Sequence, residues 1–426
     1  MIPEASVVIV SRGRGPQLAR CLQALSFQTC PAFEVIVVGD TAARRAVADG
    51  PGAPAVTYVP FAEANVSAAR NAGIALARAP YVAFLDDDAV AEPCWLEQLL
   101  KALRVPGVVL AAGYVRGPDG VRFQWQGEWL TAEGTSHPMT PWPEEIAIIA
   151  PRSGRVPGAM GTNFAVLRQA VRRMGGFDPR LRYFLDESDL VWRLVQGDGQ
   201  VAYAPQAQVI HALAAGPYRQ EDRTPRDLFE IGRSAAIFAQ THASLGSAAA
   251  VRTHRKVQQT RLLKRMVSGR FYPDEVWRLL RSFDRGAAEG LALAEGQAGP
   301  KKMQDLNAAP EHKPATRLFK ARRKTDPNLN PLWTTSPRFE MPGAFARAAK
   351  QAEKGRVVTL VTSANRRAPA RVVFRAPGVW IHELPDSIWQ SASSRRISDG
   401  VYKDYMGIRI KDAPTSKDDG TELDTD

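Results

Sequence analysis

The sequence predicts an α/β fold in which a parallel sheet is followed by a mainly helical region. Short apolar runs of strand character alternate with amphipathic helical patterns, as in βαβ units, at residues 6–10, 33–38 and 81–85. The last of these runs stops abruptly on three carboxylates, Asp86, Asp87 and Asp88. A buried strand of a parallel sheet has this appearance where it leaves the core at a ligand crevice.

The length indicates more than one structural unit, because 426 residues exceed the usual size of one domain. The strand and helix pattern fills the first half of the chain. A helical pattern, a polar stretch, a β-rich stretch and an acidic end follow. We therefore predict an α/β domain, a helical extension, a linker, a small β-rich region and a disordered tail at residues 1–215, 216–295, 296–330, 331–410 and 411–426.

The formal net charge of +12 is concentrated beyond the first half of the chain. Residues 252–285 contain ten Arg or Lys and three Asp or Glu. This excess would suit nucleic acid, an anionic membrane surface or an anionic acceptor. Because the sequence has no recognisable nucleic-acid module and no aromatic residues interleaved for stacking, we expect no nucleic-acid partner.

The cellular compartment is inferred from what the sequence lacks. No uncharged apolar run approaches the length needed to span a bilayer, and the first residues do not have the pattern of a signal peptide. Cys21, Cys30 and Cys94 have no metal-type spacing, which suggests ordinary thiols. We expect a cytoplasmic protein, with peripheral attachment to the inner face of the membrane as an option for the basic region.

The first two strands bring polar residues to the carboxyl edge of the sheet. The first strand runs into Ser11 and the loop SRGRG, and Pro16 opens a helix with Cys21 on its apolar face. The second strand ends at Gly39 and Asp40. In a parallel sheet Asp40 therefore lies at the same edge as the three carboxylates.

The three carboxylates do not all face one way. In extended chain, residues two apart point in the same direction, so Asp86 and Asp88 face one point and Asp87 faces another. Two such oxygen ligands suit a divalent cation. The alternative is an acidic loop that caps the next helix, which we expect to begin at Pro93.

Together with three other segments, the acid-ended strand resembles the nucleotide-binding half of family 2 glycosyltransferases. The segments are residues 6–40, residues 65–80 (NVSAARNAGIALARAP) and residues 186–194 (DESDLVWRL). The resemblance covers about the first half of the chain, and the motifs follow in the family's order. It implies a Rossmann-like GT-A nucleotide-diphospho-sugar transferase domain at residues 1–215, with a mainly helical C-terminal extension.

The resemblance assigns a donor site to this domain. It implies that Ser11, Asp40, Arg70 and Asp87 bind the nucleotide sugar. The family usually has two acids at the end of the second strand, and Gly39 replaces the first of them here, so the base stays open. A turn aspartate at Asp40 and a solvated helix arginine at Arg70 are the alternatives.

Metal binding follows from the same resemblance. It implies that Asp86 and Asp88 hold Mn or Mg, and some members of the family use a histidine in the position of His211 as a further ligand. A structural histidine is the equal alternative, because a lone His is more often structural than metal-bound.

The segment after GGFD supplies the catalytic candidates. Leucines and valines at helical spacing and the stop at Gly197 place residues 186–189, the acidic turn, in the first turn of a helix. By resemblance Glu187 is the general base, with Asp186 as the alternative one residue earlier. Crowding by Asp186 and Asp189 is expected to raise the pKa of Glu187. Acids that merely favour the helix dipole are the structural alternative.

An irregular insertion at residues 116–155 is expected to form a binding loop or lid. Its aromatic residues either stack on sugar rings or anchor the loop, and the sequence does not separate these two roles for Trp125, Trp129 and Trp142.

These features predict a non-processive, inverting glycosyltransferase that moves a sugar from a nucleoside-diphosphate sugar to an acceptor hydroxyl. The acceptor would be a glycan, a lipid-linked molecule or another hydroxyl compound, in the synthesis of surface polysaccharides or glycoconjugates. Two alternatives are a catalytically silent sugar-nucleotide or glycan binder and a nucleotidyltransferase that uses SRGRG as its phosphate loop. Intact Asp86, Asp88 and Glu187 disfavour the silent binder.

Overall fold

The structure is a computed structural model. It describes residues 2–50, 55–118, 123–152, 154–220, 222–296, 318–320, 332–336, 340–354, 358–363, 371–375 and 379–384. The predicted disordered tail at residues 411–426 and most of the predicted linker lie outside the described residues.

One large mixed sheet organises the first part of the chain. Its central strands run in the order β10, β13, β6, β12, β4, β1, β2 and β14, while β3 pairs with β2, β5 with β13 and β7 with β6. The strands are β1 (Ala5–Ser11), β2 (Ala32–Gly39), β3 (Val56–Pro60), β4 (Tyr81–Leu85), β5 (Ala89–Ala91), β6 (Val108–Arg116), β7 (Phe123–Trp125), β10 (Ala147–Ile149), β12 (Asn163–Leu167), β13 (Gln200–His211) and β14 (Phe319–Lys320).

The nucleotide-binding half of this sheet is parallel, as predicted. β1 pairs in parallel with both β2 and β4, and β2 pairs in parallel with β3. Beyond β4 the direction alternates, because β12 runs antiparallel to both β4 and β6. The strands β1, β2 and β4 are almost wholly buried, which explains their continuous apolar sequence.

Helices cover the faces of the sheet. They are α1 (Gly15–Leu25), α2 (Thr41–Asp49), α3 (Val66–Leu76), α4 (Trp95–Leu103), α5 (Arg168–Arg173) and α6 (Asp186–Gln196). The apolar face of α1 buries Leu18, Cys21 and Leu22. The helix expected to begin at Pro93 begins instead at Trp95, with Cys94 as its N-cap. Pro93 lies in the preceding turn, where its carbonyl accepts a hydrogen bond from Thr29.

The predicted insertion forms a small layer of its own. Three short strands, β8 (Glu128–Thr131), β9 (Ser136–Pro138) and β11 (Arg155–Pro157), pair in the order β11, β8, β9. The hydroxyl of Tyr203 on β13 donates to the carbonyl of Glu128 at 3.1 Å. This contact joins the small sheet to the large one.

Three long helices follow the α/β domain and confirm the mainly helical region. They are α7 (Phe229–His242), α8 (Ser247–Val267) and α9 (Pro273–Gly296). They share a hydrophobic cluster that includes Leu228, Leu279 and Phe283. The backbones of α7 and α9 approach very closely, because a Cβ on Gly286 would lie 1.9 Å from the carbonyl oxygen of Phe229. Glycine is therefore required at that crossing.

The C-terminal residues contain two features that the sequence reading did not foresee. Phe319, in the predicted linker, forms β14 against β2 and stacks on Phe33 at 5.2 Å between ring centroids. The β-rich region also contains a helix, α10 (Met341–Glu353). This helix accompanies a four-stranded sheet in the order β15, β16, β18, β17, whose strands are β15 (Leu332–Ser336), β16 (Val358–Ser363), β17 (Arg371–Arg375) and β18 (Val379–Leu384).

The cysteines and the helices agree with the sequence reading. Cys21, Cys30 and Cys94 are free thiols. Within the described part of the chain, every helix is too short or too polar to cross a lipid bilayer.

Candidate active site

A cleft of about 630 Å³ opens at the carboxyl edge of the parallel strands. Its lining includes Arg70, Asp86 and His211 and, from the acidic turn, Asp186 and Glu187. Residues of α8 close a further wall. The cleft therefore brings together residues that lie more than 170 positions apart in the sequence.

Asp86, Asp88 and His211, the metal cluster, lie at one end of this cleft. Their ligand atoms all lie within 4.8 Å of one another. The register of β5 on β13 pairs His211 with Ala89, the residue after Asp88, and so places the imidazole beside the carboxylates. Nε2 of His211 lies 3.3 Å from Oδ1 of Asp88 and 3.9 Å from Oδ2 of Asp86.

The hydrogen bonding of His211 suits a cation in this cluster. Nδ1 of His211 lies 3.1 Å from Oε1 of Gln124, an acceptor, so Nδ1 donates, and in the neutral imidazole Nε2 then carries a lone pair. That lone pair faces Asp88, and neither Nε2 nor Oδ1 of Asp88 has a hydrogen-bond partner among the described residues. Two buried acceptors facing each other fit a metal between them. Carboxylate oxygens are ligands that Mn or Mg prefers, and the imidazole makes the site less exclusive for these two ions than an all-oxygen site.

Asp87 is not part of the metal cluster. The extended chain that was expected through these three residues is wrong, because Asp87 and Asp88 lie in a turn after β4. Nη1 of Arg14 lies 3.1 Å from Oδ1 of Asp87 and 3.6 Å from Oδ2 of Asp88. Burial raises the pKa of Asp87 to about 7, although Arg14 opposes the shift. Ser11 is buried at the end of β1, and its hydroxyl lowers the pKa of Asp87. Arg14 thus holds two consecutive carboxylates in place.

Asp40 has a structural task in this arrangement. Its Oδ1 caps α2 by accepting hydrogen bonds from the backbone of Ala42 and Ala43, and its Oδ2 accepts from the backbone N–H of Gly13 at 2.8 Å. Asp40 therefore fixes the loop that carries Arg14. The contact with a nucleotide base that the resemblance implies stays a prediction.

Arg70 lies between the two acidic groups of the cleft. It is buried on α3, where its Nη1 forms an ion pair with Asp186 and its Nη2 lies 3.6 Å from Oδ1 of Asp86. Nη2 also donates to the carbonyl of Gly161 at 3.0 Å. The solvated helix arginine that was the alternative for this position is therefore wrong.

The acidic turn is positioned by unusual backbone geometry. Leu185 is the N-cap of α6 and adopts the left-handed conformation with φ 62°. A buried leucine in this conformation is strained, and such strain is common where a loop must aim functional groups. The helix starts immediately afterwards, so Asp186 points to Arg70 and Glu187 lines the cleft.

Glu187 has the electrostatic setting of a base. Burial raises its pKa well above the ordinary glutamate value, and the neighbouring charge of Asp186 raises it further. Arg70 opposes both effects. The prediction that Asp186 raises the pKa of Glu187 is therefore confirmed.

Asp189 was also expected to raise the pKa of Glu187. This expectation is wrong, because the carboxylate of Asp189 faces away from Glu187. Its Oδ1 lies 2.8 Å from Nε2 of His242 on α7, and its Oδ2 lies 2.5 Å from Nη2 of Arg193. Its pKa is lowered, because these two partners outweigh the effect of burial. Asp189 therefore joins α6 to the helical extension.

The three tryptophans of the insertion have different positions. Trp129 is packed in the main hydrophobic core, and its ring lies under the guanidinium of Arg152. Trp125 is buried and lines the cleft, whereas Trp142 is half-buried. Trp125 can therefore contact a ligand in the cleft, whereas Trp129 anchors the insertion in the core.

Several residues of the site were missed by sequence reasoning. Gln124 lies in the irregular insertion and belongs to no motif. Arg14 lies in the loop SRGRG. The sequence shows that this loop is basic, but it does not show which residues Arg14 contacts. Gln258 lies in a helix that the sequence marked only as basic. Its burial could not be seen without knowing which face of α8 meets the cleft.

Comparison with known proteins identifies the domain that contains this cleft. Residues 6–175 match the model of the family Glycosyl transferase family 2. Over these residues the α/β domain is similar to glycosyltransferase family 2. The family match and the strand arrangement confirm the Rossmann-like GT-A fold, and they disfavour the nucleotidyltransferase alternative.

Two relatives from bacteria have similar sequences. The pre-mycofactocin glycosyltransferase of Mycobacterium tuberculosis is 30% identical over 219 residues, which are 49% of this chain and 42% of that protein. The succinoglycan biosynthesis protein ExoM of Rhizobium meliloti is 33% identical over 127 residues, which are 27% of this chain and 41% of that protein. The chain therefore spans less than half the length of either relative.

The alignments with solved structures cover a larger share of the chain, but their sequence identity is lower. GalNAc-T7 with UDP, GalNAc and Mn2+ gives a TM-score of 0.42 at 16% identity, covering 56% of this chain and 50% of that one. The mannosyltransferase PcManGT from Pyrobaculum calidifontis, in complex with GDP-Man and Mn2+, gives a TM-score of 0.40 at 16% identity, covering 68% of this chain and 88% of that one. At these TM-scores the alignments add no argument to the family match.

Proposed function

We propose that the protein is an inverting glycosyltransferase that transfers a sugar from a nucleoside-diphosphate sugar to an acceptor hydroxyl. One observation carries this proposal. A single cleft contains a cluster suited to a metal–diphosphate complex together with a glutamate whose pKa is raised, as a general base requires. Both groups are needed for direct displacement at a sugar carbon.

The donor would lie on the side of the metal cluster. Asp86, Asp88 and His211 would hold Mn or Mg, and the bound ion would neutralise the charge that develops on the leaving diphosphate. Ser11, Asp87 and Arg70 lie around this end of the cleft and support donor binding there. Asp40 would contribute through the loop that it fixes, and it keeps lone pairs with which to accept from the base.

The acceptor would approach from the side of Glu187. Its carboxylate takes the proton of the acceptor hydroxyl while that oxygen forms a bond to the anomeric carbon. The bond from this carbon to the diphosphate oxygen breaks, and the nucleoside diphosphate leaves with the electron pair. One displacement inverts the configuration of the sugar carbon. Asp186 remains paired with Arg70 and positions the turn.

The class of acceptor is a glycan, a lipid-linked molecule or another hydroxyl compound of glycoconjugate synthesis. The relatives that act in succinoglycan and mycofactocin synthesis support this range. A cytoplasmic location at the inner face of the membrane would suit such acceptors. No nucleic acid is expected.

The helical extension carries an exposed aromatic and basic surface that would suit contact with a membrane. At the turn between α8 and α9, the side chains of Val267, Tyr272 and Trp277 are exposed by 85%, 75% and 61%. Arg281 and Arg285 are exposed on the same stretch of α9 as Trp277. We call these five residues the α8–α9 edge. Aromatic and basic side chains together favour an anionic bilayer surface.

The experiment that tests the proposed function is a thermal-shift screen of UDP, GDP and dTDP with and without Mn2+. A ligand that binds only the native state raises the melting temperature. We expect at least one nucleoside diphosphate to do so only with the metal present, and this effect should be lost in Asp88→Asn. If no nucleotide changes the melting temperature of the parent protein, the proposed donor site fails.

A further inference from the structure

We propose that helix α8 forms the acceptor wall of the cleft and that Gln258 binds a hydroxyl group of a carbohydrate acceptor. This inference rests on the proposed function and deepens it. His254, Val257 and Gln258 occupy one face of α8, at spacings of three and four residues, and all line the cleft. The family match ends at residue 175, so this wall belongs to the extension and not to the matched domain.

The position of α8 is fixed from below by the small sheet. Nε2 of His254 donates to the carbonyl of Glu133 at 2.9 Å, and Oγ of Ser244 donates to the carboxylate of the same glutamate at 2.9 Å. The next residue, Gly134, has φ +78°, and a Cβ there would lie 3.1 Å from Nε2 of His254. The helix is therefore locked onto the turn between β8 and β9.

The same helix lies next to the catalytic turn. The ring of His254 makes an edge contact with Phe184, at 6.0 Å between centroids. Phe184 lies two residues before Asp186 and three before Glu187. The α8 wall is thus on the side of the general base, where the acceptor must enter, and the metal cluster is held by other elements.

Gln258 is the polar group that most clearly lacks a partner. Its side chain is 3% exposed, and its Oε1 has no hydrogen-bond partner among the described residues. A buried amide oxygen without a partner destabilises the fold unless a ligand supplies a donor. A hydroxyl group of a bound acceptor would supply it.

Two other cleft residues extend this polar pattern. Nε1 of Trp125 and Oγ1 of Thr162 are buried, line the cleft and have no hydrogen-bond partner among the described residues. The indole N–H only donates, whereas the oxygen of Gln258 only accepts. A molecule with several hydroxyl groups can satisfy all three, because each hydroxyl both donates and accepts.

The remaining lining favours a sugar ring over a purely polar ligand. Tyr183 and Tyr218 line the cleft with their ring centroids 4.3 Å apart, and Ile231 and Val257 lie in the same walls. Such surfaces cover the C–H face of a pyranose. Hydroxyl partners beside an apolar wall are the combination that a carbohydrate acceptor requires.

The test compares Gln258→Leu with Gln259→Leu, the same substitution one residue along the helix and outside the cleft lining. Release of nucleoside diphosphate from UDP-, GDP- and dTDP-hexoses is measured with Mn2+, first in water alone and then with a panel of p-nitrophenyl glycosides as acceptors. In the parent, at least one glycoside should accelerate release. Gln258→Leu should raise the KM for that glycoside by roughly tenfold or more, with the donor KM within about twofold of the parent. Gln259→Leu should match the parent.

The melting temperature separates binding from structure. Gln258→Leu should melt at or above the parent temperature, because it removes an unpaired buried oxygen. A glycoside KM that does not change in Gln258→Leu overturns the inference, and so does a panel in which no glycoside accelerates release by the parent. If the parent releases no nucleoside diphosphate from any donor with or without a glycoside, the proposed function itself fails.

Discussion

The guanidinium of Arg70 forms an ion pair with Asp186 at the start of α6, and its second nitrogen reaches Asp86 of the metal cluster at 3.6 Å. Arg70 is therefore the side chain that joins the metal cluster to the acidic turn. Its ring contacts with Phe84 and Phe177 hold it from below, with distances of 5.9 and 5.3 Å to the ring centroids. A planar, forked group suits this position.

The substitution Arg70→Lys tests whether one side chain must contact both Asp186 and Asp86. A lysine keeps the charge but cannot contact Asp186, Asp86 and the Gly161 carbonyl together. We expect kcat/KM to fall by roughly tenfold or more and the free energy of unfolding to fall by roughly 2 kcal/mol. Steady-state kinetics and urea unfolding measure both. Arg78→Lys, at a half-exposed pair with Glu34, is the control and should leave turnover unchanged. Equal kinetics in the two variants would contradict the bridging role.

Removal of the metal ligands should weaken metal binding specifically. His211→Ala deletes the imidazole whose free nitrogen faces the carboxylates, and we expect the Kd for Mn2+ to rise by about tenfold or more. Isothermal titration measures this change. His137→Ala, at an exposed histidine, is the matched control. Excess EDTA should abolish transfer by the parent protein, and full activity in EDTA would end the metal proposal.

Asp189 should contribute to the stability of the fold and not to catalysis. Asp189→Asn leaves Arg193 and His242 without their buried anion, so the free energy of unfolding should fall by roughly 3 kcal/mol at pH 7. Because the folded pKa of Asp189 lies below 3.8, its stabilisation is complete above that value and is lost as the pH falls through the folded pKa. Urea unfolding between pH 7 and pH 3 measures the difference between parent and variant. Asp198→Asn, just beyond the end of α6, should be neutral, and equal losses in both variants would refute the assignment.

The α8–α9 edge should direct the protein to anionic lipid. The parent should sediment with vesicles that contain phosphatidylglycerol but not with phosphatidylcholine alone, and salt should release it. Reversing both charges in Arg281→Glu/Arg285→Glu should weaken binding by more than about tenfold. Equal sedimentation with the two kinds of vesicle, or no effect of the double variant, would remove the membrane proposal.

The sequence was informative where function depends on local pattern. The strands β1, β2 and β4 are short apolar runs, and their ends carry the residues that reach the cleft. The grouping of Asp86 with Asp88 was predicted from strand alternation, although a turn after β4 and not extended chain brings them together. The acidic turn was recognised from its spacing to Gly197, which ends α6.

Long-range pairing explains what the sequence did not show. Asp189 was read as a neighbour of Glu187, but its partner His242 is 53 residues away on α7. Phe319 looked like part of a linker and is a strand on the main sheet. The face of α8 that enters the cleft depends on its contact with Glu133 in the turn between β8 and β9, which no local pattern specifies. Asp40 caps the N-terminus of α2, and the two small residues that follow it could have indicated this role.

The most direct test of the account is the turnover of Glu187→Gln beside Asp186→Asn. Glutamine keeps the shape of the side chain and removes the proton acceptor, so transfer should fall by roughly a hundredfold or more while donor Kd and melting temperature stay close to those of the parent. Asp186→Asn should lower the melting temperature, because it weakens the ion pair with Arg70, and should retain more turnover than Glu187→Gln. The parent's turnover should also decline on the acid side at a pH above the ordinary glutamate pKa of 4.5, since burial raises the pKa of Glu187. Transfer by Glu187→Gln at the parent rate with an inactive Asp186→Asn would move the base by one residue, and normal transfer by both variants would contradict the proposed mechanism.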